Sequence, residues 1–148
     1  MKSLLVLLCA IATTRAELLH VELQVGGLDC ISCVQSVDKA LKRIKGVEAA
    51  SFRTQDSTAV LDLKPGNEVK LEQVRDAVKG IGYTPKAAKV TARGEAREEA
   101  GKWMLRVTGS DAEYSLDVSE TPAIAGVVVV EGSIAGPGGP LKVSGIRK

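Results

Sequence analysis

The order in which the hydrophobic period changes along the chain constrains its fold more than any other feature. Leu19, Val21, Leu23 and Val25 alternate with His20, Glu22 and Gln24, a period of two that predicts a strand with one buried face. Val34, Val37, Leu41 and Ile44, with Ala40 between them, then repeat at helical spacing. Ser32 followed by Gln35 suits a capping box at the start of that helix, and Gly46 suits its exit. "VEAASFR" and "TAVLDLK" read as two strands joined by the polar turn Thr54 to Ser57, and Pro65 to Asn67 breaks the chain. Leu71, Val74, Val78 and Ile81 form a second helical stripe closed by Gly80 and Gly82, and "YTPKAAKVT" is the last strand of this region.

The resulting order, β-α-β-β-α-β, predicts an α+β chain whose residues 17–92 form a ferredoxin-like unit, one antiparallel sheet with both helices on one face. Residues 93–101, "RGEAREEAG", are charged and show no apolar stripe, so a linker or short solvated helix is expected there. From Lys102 the texture changes. Trp103, Leu105 and Val107 alternate, as do Ala112, Tyr114, Leu116 and Val118, while Val127 to Val130 read as a fully buried strand and "LKVSGIR" follows a Gly-Pro turn. Residues 102–148 therefore read as a small all-β domain. The pattern suggests an OB-like barrel, with a sheet packed onto the first domain as the alternative.

The first sixteen residues are expected to be removed. Lys2, the apolar run Leu4 to Ala12, and Thr14 and Ala16 at the exit have the form of a secretory signal peptide (residues 1–16) cleaved after Ala16. Cys9 would leave with it. The run is too short to span a bilayer comfortably, and no other stretch is a candidate span. Of the chain's 20 Lys and Arg residues, Lys2 and Arg15 lie in this segment, and it holds none of the 18 acids. The mature chain is thus about neutral, which argues against nucleic acid or anionic lipid as partner. A periplasmic or secreted setting is expected.

Cys30 and Cys33 are the cysteines that remain, in "GLDCISCVQSV". A two-residue spacer closes a very small ring, so stabilising the fold is a poor reason for the pair. A metal site, a redox couple and a plain disulfide all stay open on spacing alone. Placement narrows the choice: Cys33 falls near the start of a predicted helix, where unpaired N–H groups favour a thiolate. Two soft sulfurs suit ions content with linear or three-fold coordination, Cu(I) or Hg(II), whereas a closed zinc site wants four ligands. With one histidine, His20, and no recognisable nucleophile–base pair, catalysis has little support. His20 lies on the strand face turned from the core and is read as solvated or in contact with the second domain; Trp103 is read as core, and Met104 alone cannot build a methionine-rich copper site.

The stretch Gly27-Leu28-Asp29-Cys30-Ile31-Ser32-Cys33 resembles the metal loop of the heavy-metal-associated domain, whose motif runs G-M-x-C-x-x-C. "VDKALKRIKGV" and "VRDAVKGIGYTP" resemble that family's later landmarks, so the likeness covers roughly residues 19–91. It implies the ferredoxin-like fold and a metal ion held by Cys30 and Cys33; a membrane metal transporter or another metal carrier is the expected partner. Tyr83 matches an aromatic residue that stands near the loop in many bacterial members. Leu28 replaces the usual methionine, which is mostly a core plug. Asp29 occupies a variable position whose carboxylate joins the ligands in some zinc, cadmium and lead exporters; this keeps Zn(II) beside Cu(I) and Hg(II) as expected ions. The signal peptide resembles that of periplasmic mercury-binding proteins. Residues 102–148 resemble no family we recognise.

Overall fold

Alternating burial in the strands and one buried stripe on each helix generate the architecture seen in a computed structural model, which describes residues 17–107, 109–110, 112–119 and 125–148. The expected signal peptide lies outside these residues. Strand β1 (Glu17–Gly26) leads through the cysteine loop into α1 (Ile31–Lys42). The antiparallel strands β2 (Val47–Arg53) and β3 (Thr58–Leu63) follow, then α2 (Leu71–Gly80) and β4 (Thr84–Glu99). The antiparallel order β2-β3-β1-β4, with Val37 and Leu41 of α1 and Leu71, Val74 and Val78 of α2 buried on one face, is the expected ferredoxin-like unit. Val21, Leu23 and Val25 point into that core, and His20, Glu22 and Gln24 lie on the opposite, open face. The start of β1 is tied down: the buried carboxylate of Glu17 accepts from Gly66 N and pairs with Arg93 Nη1 at 3.2 Å.

Residues 93–101 are not a linker. Arg93 to Glu99 form the second half of β4, and only Ala100 and Gly101 turn. The strand is hard to see in the sequence because its buried side is made of very small residues. Ala92, Gly94 and Ala96 point in, while Arg93, Glu95 and Arg97 are more exposed. At Gly94 the reason is steric: a Cβ there would lie 2.6 Å from the Arg106 carbonyl oxygen. The turn itself has positive φ at both Ala100 (50°) and Gly101 (78°), the backbone of a tight two-residue hairpin.

The remaining strands are β5 (Lys102–Val107), β6 (Ala112–Asp117), β7 (Gly126–Ile134) and β8 (Leu141–Arg147). They use β4 as their first wall. One edge of β4 pairs with β1 over Thr84 to Arg93 and then with β5 over Glu95 to Glu99. Its other edge pairs with β7 from Ala88 to Ala96. β5 pairs with β6, β6 runs parallel to β8, and β8 returns to β7, so the pairings close a ring β4-β5-β6-β8-β7-β4. Leu105, Val107, Leu116, Val128, Val130 and Leu141 are buried, and Trp103 packs against the same core, as expected; the run Val127 to Val130 is not buried throughout, since β7 buries alternate residues and leaves Val127 47% exposed. The second half is therefore a sheet curled onto the last strand of the first half, sharing its backbone. Among the described residues, no helix is long and apolar enough to cross a membrane.

Candidate metal-binding loop

The cysteine loop sits where a strand must become a helix. β1 ends at Gly26, and Gly27 turns the chain with φ of +88°, a conformation glycine adopts without strain. Leu28 is half-buried against the core, in keeping with its reading as a plug. Asp29 is exposed, and the helix begins at Ile31, itself 82% exposed. The expected capping box is not used. The N-cap is Cys30, whose Sγ accepts the Cys33 N–H at 3.1 Å, and Ser32 lies inside the first turn. Ser32 Oγ is instead 3.1 Å from Cys30 Sγ. A sulfur takes the cap because the chain leaves extended geometry at residue 30 (φ −143°, ψ 154°), two residues before the serine.

The spacing thus brings both sulfurs to one point at the positive end of α1, with no acidic residue in the first turn to oppose charge there. They are bonded to each other as a disulfide, with Cα atoms 5.2 Å apart. Cys30 is exposed and Cys33 half-buried, so reductant and ligands reach the pair from solvent. Among the described residues, no three of His, Cys, Asp and Glu converge on a common centre. Asp29 neighbours the sulfurs in sequence without completing such a group, and His20 belongs to the open face of the sheet, its Nδ1 2.7 Å from Asp62 Oδ1.

Tyr83 reaches the loop through the end of α2. Gly82 has φ of +92°, its N–H bonds to the Lys79 carbonyl, and the Tyr83 N–H bonds to the Val78 carbonyl, the two bonds of a Schellman exit. That exit lays the Tyr83 ring against Gly27: a Cβ on Gly27 would meet Tyr83 Cδ1 at 3.8 Å. Lys86 approaches from β4, its Cε 2.8 Å from where a Cβ of Gly26 would stand. Sequence spacing gave no hint of Lys86, because the contact depends on how β4 pairs with β1.

Residues 22–84 match the family model of the heavy-metal-associated domain. The copper-transporting ATPase 2 of Rhizobium meliloti (strain 1021) is 40% identical over 62 residues, 42% of this chain and 7% of that protein. The zinc-transporting ATPase of Synechocystis sp. (strain ATCC 27184 / PCC 6803 / Kazusa) is 35% identical over 65 residues, 43% of this chain and 9% of that one. The chain therefore spans less than a tenth of the length of these two relatives. Among solved structures, a CopZ metallochaperone is 27% identical with a TM-score of 0.42, covering 45% of this chain and 97% of its own. Oxidized MerP from Ralstonia metallidurans CH34 is 24% identical with a TM-score of 0.42, covering 46% of this chain and 93% of its own.

Proposed function

Because residues 22–84 are a heavy-metal-associated domain, we propose that this chain is an exported, non-enzymatic carrier of one soft metal ion, with Cys30 and Cys33 as its ligands. The observation that carries the reading is the meeting of two sulfurs at an exposed helix N-terminus. Thiol–disulfide exchange with an external dithiol opens the Cys30–Cys33 bond, and the dithiol leaves as its own disulfide. The ion then displaces the thiol protons, so binding requires the dithiol and releases acid. The softness of two thiolates favours Cu(I) or Hg(II) as cargo, since both accept two sulfurs. Zn(II) would need further donors, of which Asp29 is the nearest in sequence.

The five-strand ring fits an OB-like barrel, with β4 first and the order first-second-third-fifth-fourth-first. Its role in this proposal is to present the metal domain to a membrane transporter or a second carrier in the periplasm. The runner-up is a dithiol–disulfide redox protein, favoured by the bonded state of the sulfurs. An anaerobic titration of reduced protein against a competing chelator separates the two. The carrier takes up one equivalent of Cu(I) and loses affinity by orders of magnitude in Cys30→Ser or Cys33→Ser. Unchanged affinity in the double variant removes the carrier reading, and a competent disulfide exchanger that holds no metal supports the runner-up.

A further inference from the structure

The open face of the sheet carries a second arrangement of ligand-type side chains, remote in role from the cysteines. His20 on β1 lies directly opposite Asp62 on β3, and Glu22 follows two residues on, on the same face. His20 Nδ1 is 2.7 Å from Asp62 Oδ1, while His20 Nε2 is 3.7 Å from Glu22 Oε1. A carboxylate only accepts, so Nδ1 carries the proton it donates to Asp62. In the neutral ring, Nε2 is then left with a lone pair facing a second acceptor. Arg53 Nη2 holds the other oxygen of Glu22 at 3.2 Å, which fixes the direction of Oε1. His20 and Glu22 both line a cavity of about 340 Å³ whose other walls include Lys89, Thr91, Glu131 and Ser133.

We propose that His20 Nε2 and Glu22 Oε1 form a second, thiol-independent site for a borderline divalent cation, Zn(II) or Cu(II), oriented by Asp62. Two donors about 2.0–2.1 Å from a tetrahedral centre are about 3.4 Å apart, close to the spacing found here. A carboxylate on the far nitrogen of a ligating histidine fixes tautomer and ring orientation and raises basicity, which is the part Asp62 plays. Imidazole and carboxylate suit Zn(II) and Cu(II) better than Cu(I) or Hg(II), so the site and the cysteine loop would sort ions by softness. No third protein ligand converges among the described residues, so solvent completes the shell and the site stays open toward the cavity.

The test uses the full chain with Cys9, Cys30 and Cys33 all replaced by Ser, so that it stands or falls apart from the carrier reading. Calorimetric titration with Zn(II) should show one equivalent bound. His20→Ala and His20→Gln should each weaken it at least tenfold, Glu22→Gln severalfold, and Asp62→Asn about tenfold. His20 and Asp62 side chains are 35% and 62% exposed, so these variants should keep the wild-type circular dichroism spectrum. Electron paramagnetic resonance of the Cu(II)-loaded protein should show coupling to a single imidazole nitrogen, lost in His20→Gln. The proposal is overturned if the cysteine-free chain binds no Zn(II) at 0.1 mM, or if binding is indifferent to His20→Gln.

Discussion

In the proposed carrier, Asp29 is the residue expected to separate soft from harder ions. It is exposed, it precedes Cys30, and it completes no three-ligand group among the described residues. Cu(I) and Hg(II) need nothing from it, whereas Zn(II), Cd(II) and Pb(II) gain from a third, charged donor. Asp29→Ala should therefore weaken the second set about tenfold and leave Cu(I) affinity nearly unchanged, measured anaerobically after reduction. Equal losses for Cu(I) and Zn(II), or none for either, would show that Asp29 is only loop. Ser32 teaches a different lesson. The sequence pairs it with Gln35 as a capping box, but the backbone turns helical two residues earlier, and Cys30 takes the role with its sulfur. Cap signals two residues apart compete, and the dihedrals of the loop decide between them.

At the scale of elements, Tyr114 of β6 lies against the start of α2. Tyr114 is half-buried beside the Leu71 backbone and the Glu72 carboxylate, at a helix start that has no side-chain cap of its own. Burial first, and the Glu72 charge second, push its phenol above the usual tyrosine range. The folded state thus prefers the neutral phenol more strongly than the unfolded chain does. The stability linked to this group is fully present below the unfolded value of about 10 and is lost as pH rises through the folded one. Tyr114→Phe should flatten the alkaline limb of a stability–pH profile above about pH 10 while leaving neutral-pH metal binding intact. An unchanged alkaline limb would mean the phenol ionises without cost. The helices show how far periodicity carries: Val37, Leu41, Leu71, Val74 and Val78 are inside where spacing of three and four residues places them, but Ile81, expected to end the second stripe, falls past the end of α2 and is exposed.

For the whole molecule, the shared strand decides what can exist alone. Residues 17–92 contain a complete β-α-β-β-α-β unit, and β4 as far as Ala92 still pairs with β1. That fragment should fold and bind metal, but with a lower melting temperature, because losing β7 bares the edge of β4 from Ala88 onward. Residues 93–148 should not fold by themselves. The ring needs residues 88–92 of β4 as partner for Val130 to Ile134 of β7, and without them its wall is open. Circular dichroism and thermal melts of the two fragments check both statements. A cooperatively folded 93–148 fragment would show that the ring closes without the shared strand, and an unfolded 17–92 fragment would make the two halves one unit.

The sequence alone determined the element order of the first half, the two helical stripes, the cysteine loop at a strand-to-helix junction and the strands of the second half. Each of these is written in local periodicity or in spacing along the chain, which a single segment specifies by itself. Tertiary structure decided the rest, because it depends on pairings between distant segments. Residues 93–99 pair with β5 where Gly94 leaves room for the Arg106 carbonyl and the Leu105 side chain, a reason that lies in β5 rather than in the charged stretch itself. His20 met Asp62 only because β1 and β3 pair in one register, 42 residues apart in the chain. Lys86 came to Gly26 because β4 pairs beside β1. Local patterns fix which segments are strands and helices. Which strand two segments share, and which polar side chains then face each other, is settled when backbone hydrogen bonds and close packing choose one register over the others.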